Sequence, residues 1–202
     1  MAQEQFVFSK NVIEFVTVAA ETCLLLENAT ELPKPEFIAT CTRMLPLLYL
    51  KTSLVDISEL NTEGDIEHFV TEEDYLFVKE QVETLLGVDD SYLEVFHPDM
   101  AYSDTPIAAF VSENLADIYQ ELKDFAANYR IGETEIMENA LQVCLETFAE
   151  HWGQKLLNAL RALHAVRYGE NFGLEEDDAG LNPKDYRKLD RDSFLKFQTD
   201  EE

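Results

Sequence analysis

The chain has 202 residues, 46% of them hydrophobic, and carries 41 Asp+Glu against 15 Lys+Arg for a formal charge of -26. That suits one domain with an ordinary core, and its field repels nucleic-acid backbones and anionic membrane surfaces. No apolar run approaches the roughly 18 to 20 residues of a spanning helix: the longest candidate, Val12 to Leu26, is interrupted by Glu14 and Glu21.

The opening MAQEQFVFSK lacks the basic region and apolar segment of a signal peptide, so a cytoplasmic location is expected. A first helix is predicted from about Ser9 to Glu27, where Val12, Val16, Ala19, Cys23 and Leu26 recur on one face; its β-branched content is the competing argument for a strand. A second opens at Pro35 with Phe37, Cys41, Met44 and Leu48 as its stripe, and Pro46 is expected to kink or break it because the Thr42 carbonyl loses its donor. The third begins at VTEEDY. Thr71 caps, Glu72, Glu73 and Asp74 fill the first turn, Val70 staples to Tyr75, and Leu76, Val78, Val82 and Leu85 follow until Gly87.

A loop, DDSYLEVFHPDMAYSD, leads to Thr105-Pro106, where a fourth helix starts and runs to about Arg130 with Gly132 at its end. The fifth, from about Thr134 to Arg167, is the longest, with Met137, Leu141, Cys144, Phe148, Trp152, Leu156, Leu160 and Leu163 as its seam. Beyond Gly169 the composition turns to a charged tail in which Asn182-Pro183 is the expected start of one short helix. Residues 55–104 carry 15 acidic groups and one basic group, more than half of the excess charge.

Three cysteines, Cys23, Cys41 and Cys144, lack CxxC spacing and fall on apolar stripes, so they are expected to be small buried hydrophobes. Walker A, GxGxxG and GxSxG are absent, and seven glycines leave little for a phosphate cradle. Glu59, Asn61, Glu63, Gly64, Asp65 and Glu67 imitate a calcium loop, but the twelfth position, which needs a bidentate acid, is Val70.

On the fourth helix Glu113, Asp117 and Asp124 share one side. At about 100° per residue they point roughly 120° to 160° from the seam Val111, Leu115, Ile118, Leu122, Phe125 and Tyr129, so they are expected to face water. A hydrolase reading would have Glu80, Glu83, Glu113 and Asp117 hold Mg²⁺ for a nucleotide or another phosphorylated molecule, as in all-helical pyrophosphohydrolases, although Asn114 stands where that pattern needs an acid. The stretch from His151 to Gly169 contains no acid. Its cations either complement the carbonyls of a helix C-terminus or, at His151, Lys155 and Arg161, hold a small anion or an acidic surface, the tail itself being one candidate.

Five blocks in order, LPLLYLK, VTEEDY, YSDTP, SENLADIYQELKDF and WGQKLLNALRALH, resemble an uncharacterised bacterial family, the domain of unknown function 5063, over about Phe6 to Tyr168. The resemblance implies a compact, mainly helical cytosolic domain and supplies no activity or cofactor. The residues therefore lead to an all-α, single-domain bundle of about five principal helices over 1–169, the fourth and fifth forming a long antiparallel hairpin, with a partly ordered acidic tail over 170–202. The first functional expectation is a non-enzymatic interaction or adaptor protein whose acidic 55–104 surface or tail meets a basic protein surface, with no catalytic residue, cofactor or resident metal. The metal-dependent hydrolase and the anion-binding domain are the alternatives.

Overall fold

A computed structural model describes residues 6–58, 60, 62, 64–94, 107–170 and 172. The chain divides into two compact units, Met1–Gly169 and Glu170–Glu202, and every described element belongs to the first. The helices are α1 (Lys10–Glu27), α2 (Lys34–Ser53), α3 (Glu72–Leu86), α4 (Val111–Ile131), α5 (Thr134–Thr147) and α6 (Gly153–Arg167). Backbone angles stay helical through a π turn at Phe148–Trp152, so α5 and α6 are one rod, the predicted fifth helix.

The π turn has a cause in the sequence. Cys144, Phe148, Trp152 and Leu156 are spaced four, four and four, and twelve residues at about 100° each overshoot three turns by about 120°. A wider turn absorbs most of that drift and keeps the seam facing inward. Cys144, Trp152 and Leu156 are buried in consequence, and the Trp152 indole donates to the Cys144 carbonyl at 2.9 Å. Gly153 is required there, because a Cβ would lie 2.4 Å from the Phe148 carbonyl oxygen.

Neighbouring helices run antiparallel. Asn11 donates to the Leu54 carbonyl and Lys51 reaches Glu14, which pairs the start of α1 with the end of α2. Phe15 stacks on Phe125 with centroids 5.0 Å apart while Tyr119 bonds Glu27, pairing α1 with α4. Gly132, in the left-handed region at φ 84°, turns α4 into α5, and Thr147–Glu121 and Lys155–Asp117 contacts hold the resulting hairpin. Arg167 closes α6 onto α2 by donating to Thr42 Oγ1 and the Ala39 carbonyl.

Several expectations are corrected. Pro46 lies inside an unbroken α2; the packed flanks of a twenty-residue helix hold it through one missing donor. Leu45 and Leu86 fill the core positions expected of Met44 and Leu85, and Leu76 is exposed. The predicted loop before α4 begins with a 3₁₀ turn, Gly87–Asp90, and strand β1, Ser91–Leu93, which pairs antiparallel with β2, Ala108–Phe110. α4 consequently begins at Val111 rather than at Thr105, while residues 95–104 of that loop and Thr105-Pro106 fall outside the described residues. Phe110, at the N-cap, makes no side-chain cap. Buried Asp90 supplies it from outside, accepting from Ser112 N at 2.7 Å and Ser112 Oγ at 2.8 Å, where a carboxylate also complements the helix dipole.

The largest correction concerns Asp124, which is 3% exposed where water was expected. α4 is the central helix, packed by α1, α3, α5 and α6, and it has no solvent face for most of its length. The side opposite its seam is covered by the segment before α3. Asp124 Oδ1 accepts the N–H groups of Phe69 and Val70 at 2.7 and 2.9 Å, Oδ2 meets His68 Nδ1 at 3.0 Å, and Asn128 exchanges bonds with Glu67. Gln142 holds Thr62 in the same way, and Gly64 lies so close to Asn139 that a Cβ there would force the Asn139 amide to move.

Candidate functional site

The segment pinned by Asp124 delivers α3. Thr71 Oγ1 accepts from Asp74 N at 3.2 Å and Asp74 Oδ2 accepts from Thr71 N at 3.0 Å, the capping box expected of VTEEDY. These hydrogen bonds from Thr71 hold the Asp74 carboxyl below its ordinary range. One face of α3 buries Val78, Val82 and Leu86. The opposite face presents Glu72, Glu73, Leu76, Phe77, Glu80 and Glu83, all exposed, with Phe77 at 56%. Phe69 at 41% and Val88 at 65% extend the apolar part at either end.

Helix α3 has one basic residue, Lys79, which is paired with Glu113 at 3.0 Å; the hydrogen bond it donates to Glu113 pushes its pKa up. The outward face is therefore acidic and apolar with no free cation of its own. Monomeric surfaces seldom gather large apolar side chains within a charged rim unless something docks there.

Clefts flank the helix. One, of about 300 Å³, is lined by Glu27, Phe69, Val70, Asp74, Phe77, Tyr119 and Lys123. At its base Tyr119 donates to Glu27 Oε1 at 2.9 Å and Lys123 binds the same oxygen. Burial first, then the bond to Glu27, raises the Tyr119 pKa well above the usual phenol range, so the hydroxyl remains a donor. Gln81 ties the end of α1 to α3 through the Glu27 carbonyl at 3.1 Å. The other cleft, bounded by Thr71, Glu72, Tyr75, Leu76, Asp117 and Gln120, is wider. There Tyr75 donates to Asp117 Oδ1 at 2.9 Å while Lys155 takes Oδ2 at 3.1 Å, and burial followed by the Asp117 bond raises the Tyr75 pKa.

Of the four carboxylates proposed to hold Mg²⁺, Glu80 and Glu83 are exposed on α3, and Glu113 and Asp117 on α4 are each occupied by a lysine. Among the described residues no group of three His, Cys, Asp or Glu side chains gathers as metal ligands do. The anion candidates are likewise separate: Lys155 is held by Asp117, while His151 and Arg161 are exposed and ten residues, roughly 15 Å of helix, apart. Glu59, Asn61 and Glu63 of the calcium-like loop lie outside the described residues.

Sequence reasoning missed Phe69, Phe77, Tyr119, Lys123 and Glu27 as a group. Only Phe77 left a signal, since it falls out of phase with Val78 and Val82 on α3.

Residues 6–169 match the family model described as Domain of unknown function (DUF5063). Among solved structures, the crystal structure of protein BF1032 from Bacteroides fragilis, a Northeast Structural Genomics Consortium target, is 43% identical; the alignment covers 82% of this chain and 97% of that one with a TM-score of 0.73. No functionally curated protein matches. Among the described residues no helix is long and apolar enough to cross a membrane.

Proposed function

The chain belongs to the DUF5063 family, and from the helical fold it has we propose that it is an interaction protein whose α3 face docks a basic segment of a protein partner. The observation that carries this reading is the outward stripe of α3, where Leu76 and Phe77 stand exposed among Glu72, Glu73, Glu80 and Glu83 while the helix's one cation is spent on Glu113. Exposed apolar side chains supply the desolvated centre that binding energy needs. The surrounding acids select a cationic partner and speed its encounter. Nothing catalytic is required of such a surface, and the carboxylates on it need only stay ionised.

The test is capture from the native lysate with the wild type and with a Phe77→Ser, Glu80→Lys variant, followed by purification of whatever the wild type alone retains. A purified partner whose basic segment binds at least about tenfold more weakly to the variant, and more weakly in high salt, supports the docking face. Identical recoveries by both proteins would end it.

A further inference from the structure

We propose that the cleft between the C-terminal end of α1, the first turns of α3 and the middle of α4 is the seat of one arginine side chain of that basic partner; this rests on reading the α3 face as a docking surface and adds the residue class it selects. The cleft opens beside Phe77 and so continues the exposed face inward. At about 300 Å³ it lies at the small end of ligand pockets, the scale of a single long side chain.

Its chemistry is that of a cation site. Two carboxylates, Glu27 and Asp74, line it against one ammonium, Lys123, which already shares Glu27 Oε1 with the Tyr119 hydroxyl. Asp74 uses Oδ2 for its capping box. Among the described residues, Glu27 Oε2 and Asp74 Oδ1 accept no hydrogen bond, so each carboxylate keeps an oxygen for an incoming donor. The remaining lining is apolar and mostly aromatic: Val70, Phe69 and Phe77, the two phenylalanines exposed, and the Tyr119 ring. Ring faces attract a cation electrostatically. A guanidinium suits this combination better than an ammonium, because it is planar, weakly hydrated, stacks on rings and bonds carboxylates through several N–H groups at once. An anion would meet an excess of negative charge, and its only cation is already paired.

The cleft can be tested without the partner. N-acetyl-arginine methylamide and its neutral isostere N-acetyl-citrulline methylamide are titrated into the full chain, followed by NMR of the amide and aromatic resonances. Expected is saturable movement of Phe69, Phe77, Tyr119 and Lys123 signals with the arginine compound, which binds roughly fivefold or more tighter than citrulline. Phe77→Ala and Glu27→Gln weaken it by similar factors. Lys123→Met strengthens it, because the competing cation leaves Glu27; the spectra of the variants report directly that they are folded. Equal affinity for the two compounds, movement confined to other residues, or loss of binding in Lys123→Met overturns the arginine seat. That failure is separate from failure of the docking face, which the Phe77→Ser, Glu80→Lys capture experiment reads without any arginine compound.

Discussion

Asp124 accepts the backbone N–H of Phe69 at 2.7 Å across 55 residues of sequence. The same oxygen takes the N–H of Val70 at 2.9 Å, so one buried carboxylate on the central helix fixes both the wall of the arginine-sized cleft and the residue just before the α3 cap. Charge-assisted bonds of this kind are strong, and without them two part-buried N–H groups lose their partner. Asp124→Ala is expected to cost about 3 kcal/mol, which for a domain of this size lowers Tm by roughly 6 to 12 °C. His68→Ala removes the mostly exposed partner at Oδ2 and should change stability by less than about 0.5 kcal/mol. Thermal melts of the two variants check both, and an Asp124→Ala protein as stable as wild type would show that the segment before α3 is not held this way.

The same pair marks how far the sequence could be read. What is local was legible: VTEEDY gave the capping box, Gly87 and Gly132 gave two helix ends, and three- and four-residue apolar spacing gave the five rods. Even the π turn leaves its trace in the four-residue spacings from Cys144 to Leu156. What was hidden depends on pairs far apart in the chain. The assumption that acids opposite a seam face water holds for a helix at the edge of a bundle and fails for α4, which neighbours cover on most sides. Strands as short as Ser91–Leu93 and Ala108–Phe110 are too brief for periodicity, and they exist because each pairs with the other. The Glu27, Tyr119 and Lys123 cluster joins residues 92 and 96 positions apart, and no spacing rule connects them.

Gly153→Ala tests the π turn. Alanine is the better helix former in an ordinary helix interior, so a plain α-helical backbone at this point would be stabilised by the change. With a Cβ placed 2.4 Å from the Phe148 carbonyl oxygen and 3.0 Å from the Phe148 ring, the backbone must shift or the wide turn must close. Closing it would rotate Trp152 out of its buried position. A loss of about 2 to 4 kcal/mol is expected, read by urea unfolding together with a change in Trp152 fluorescence. Unchanged or increased stability would rule out the wide turn.

The acid limb of the stability curve has two identifiable contributors. Hydrogen bonds from Thr71 lower the Asp74 pKa from about 3.8, and the hydrogen bond from Lys51 lowers that of Glu14 from about 4.5. A carboxyl whose folded pKa is depressed stabilises the fold fully above its unfolded value, and the contribution disappears as pH falls through the lower folded value. Thr71→Ala removes the N-cap of α3 and should cost about 1 kcal/mol at neutral pH. The stability difference between wild type and Asp74→Asn should be present at pH 7 and shrink below roughly pH 4. Denaturant unfolding across that range measures it. A difference that grew on acidification would reverse the sign and exclude the capping box as its source.

The three thiols report whether the bundle opens as one unit. Cys23, Cys41 and Cys144 are buried on α1, α2 and α5. Burial pushes Cys23 up to about 12 and raises Cys41 and Cys144 as well. The thiolate is the reactive form, so at pH 8 iodoacetamide should leave the native protein unmodified over the time in which it alkylates all three thiols in concentrated urea. The order of modification at low urea carries more information. Cys23 and Cys144 lie on helices that meet through α4, whereas Cys41 lies on α2, which α6 covers. If the core is one cooperative structure, exposing any of the three requires global opening, and mass spectrometry will show unmodified and triply alkylated protein with little between. Early single modification at Cys41 would instead show α2 detaching first, and the continuous helix through Pro46 would then be the weak element of the fold.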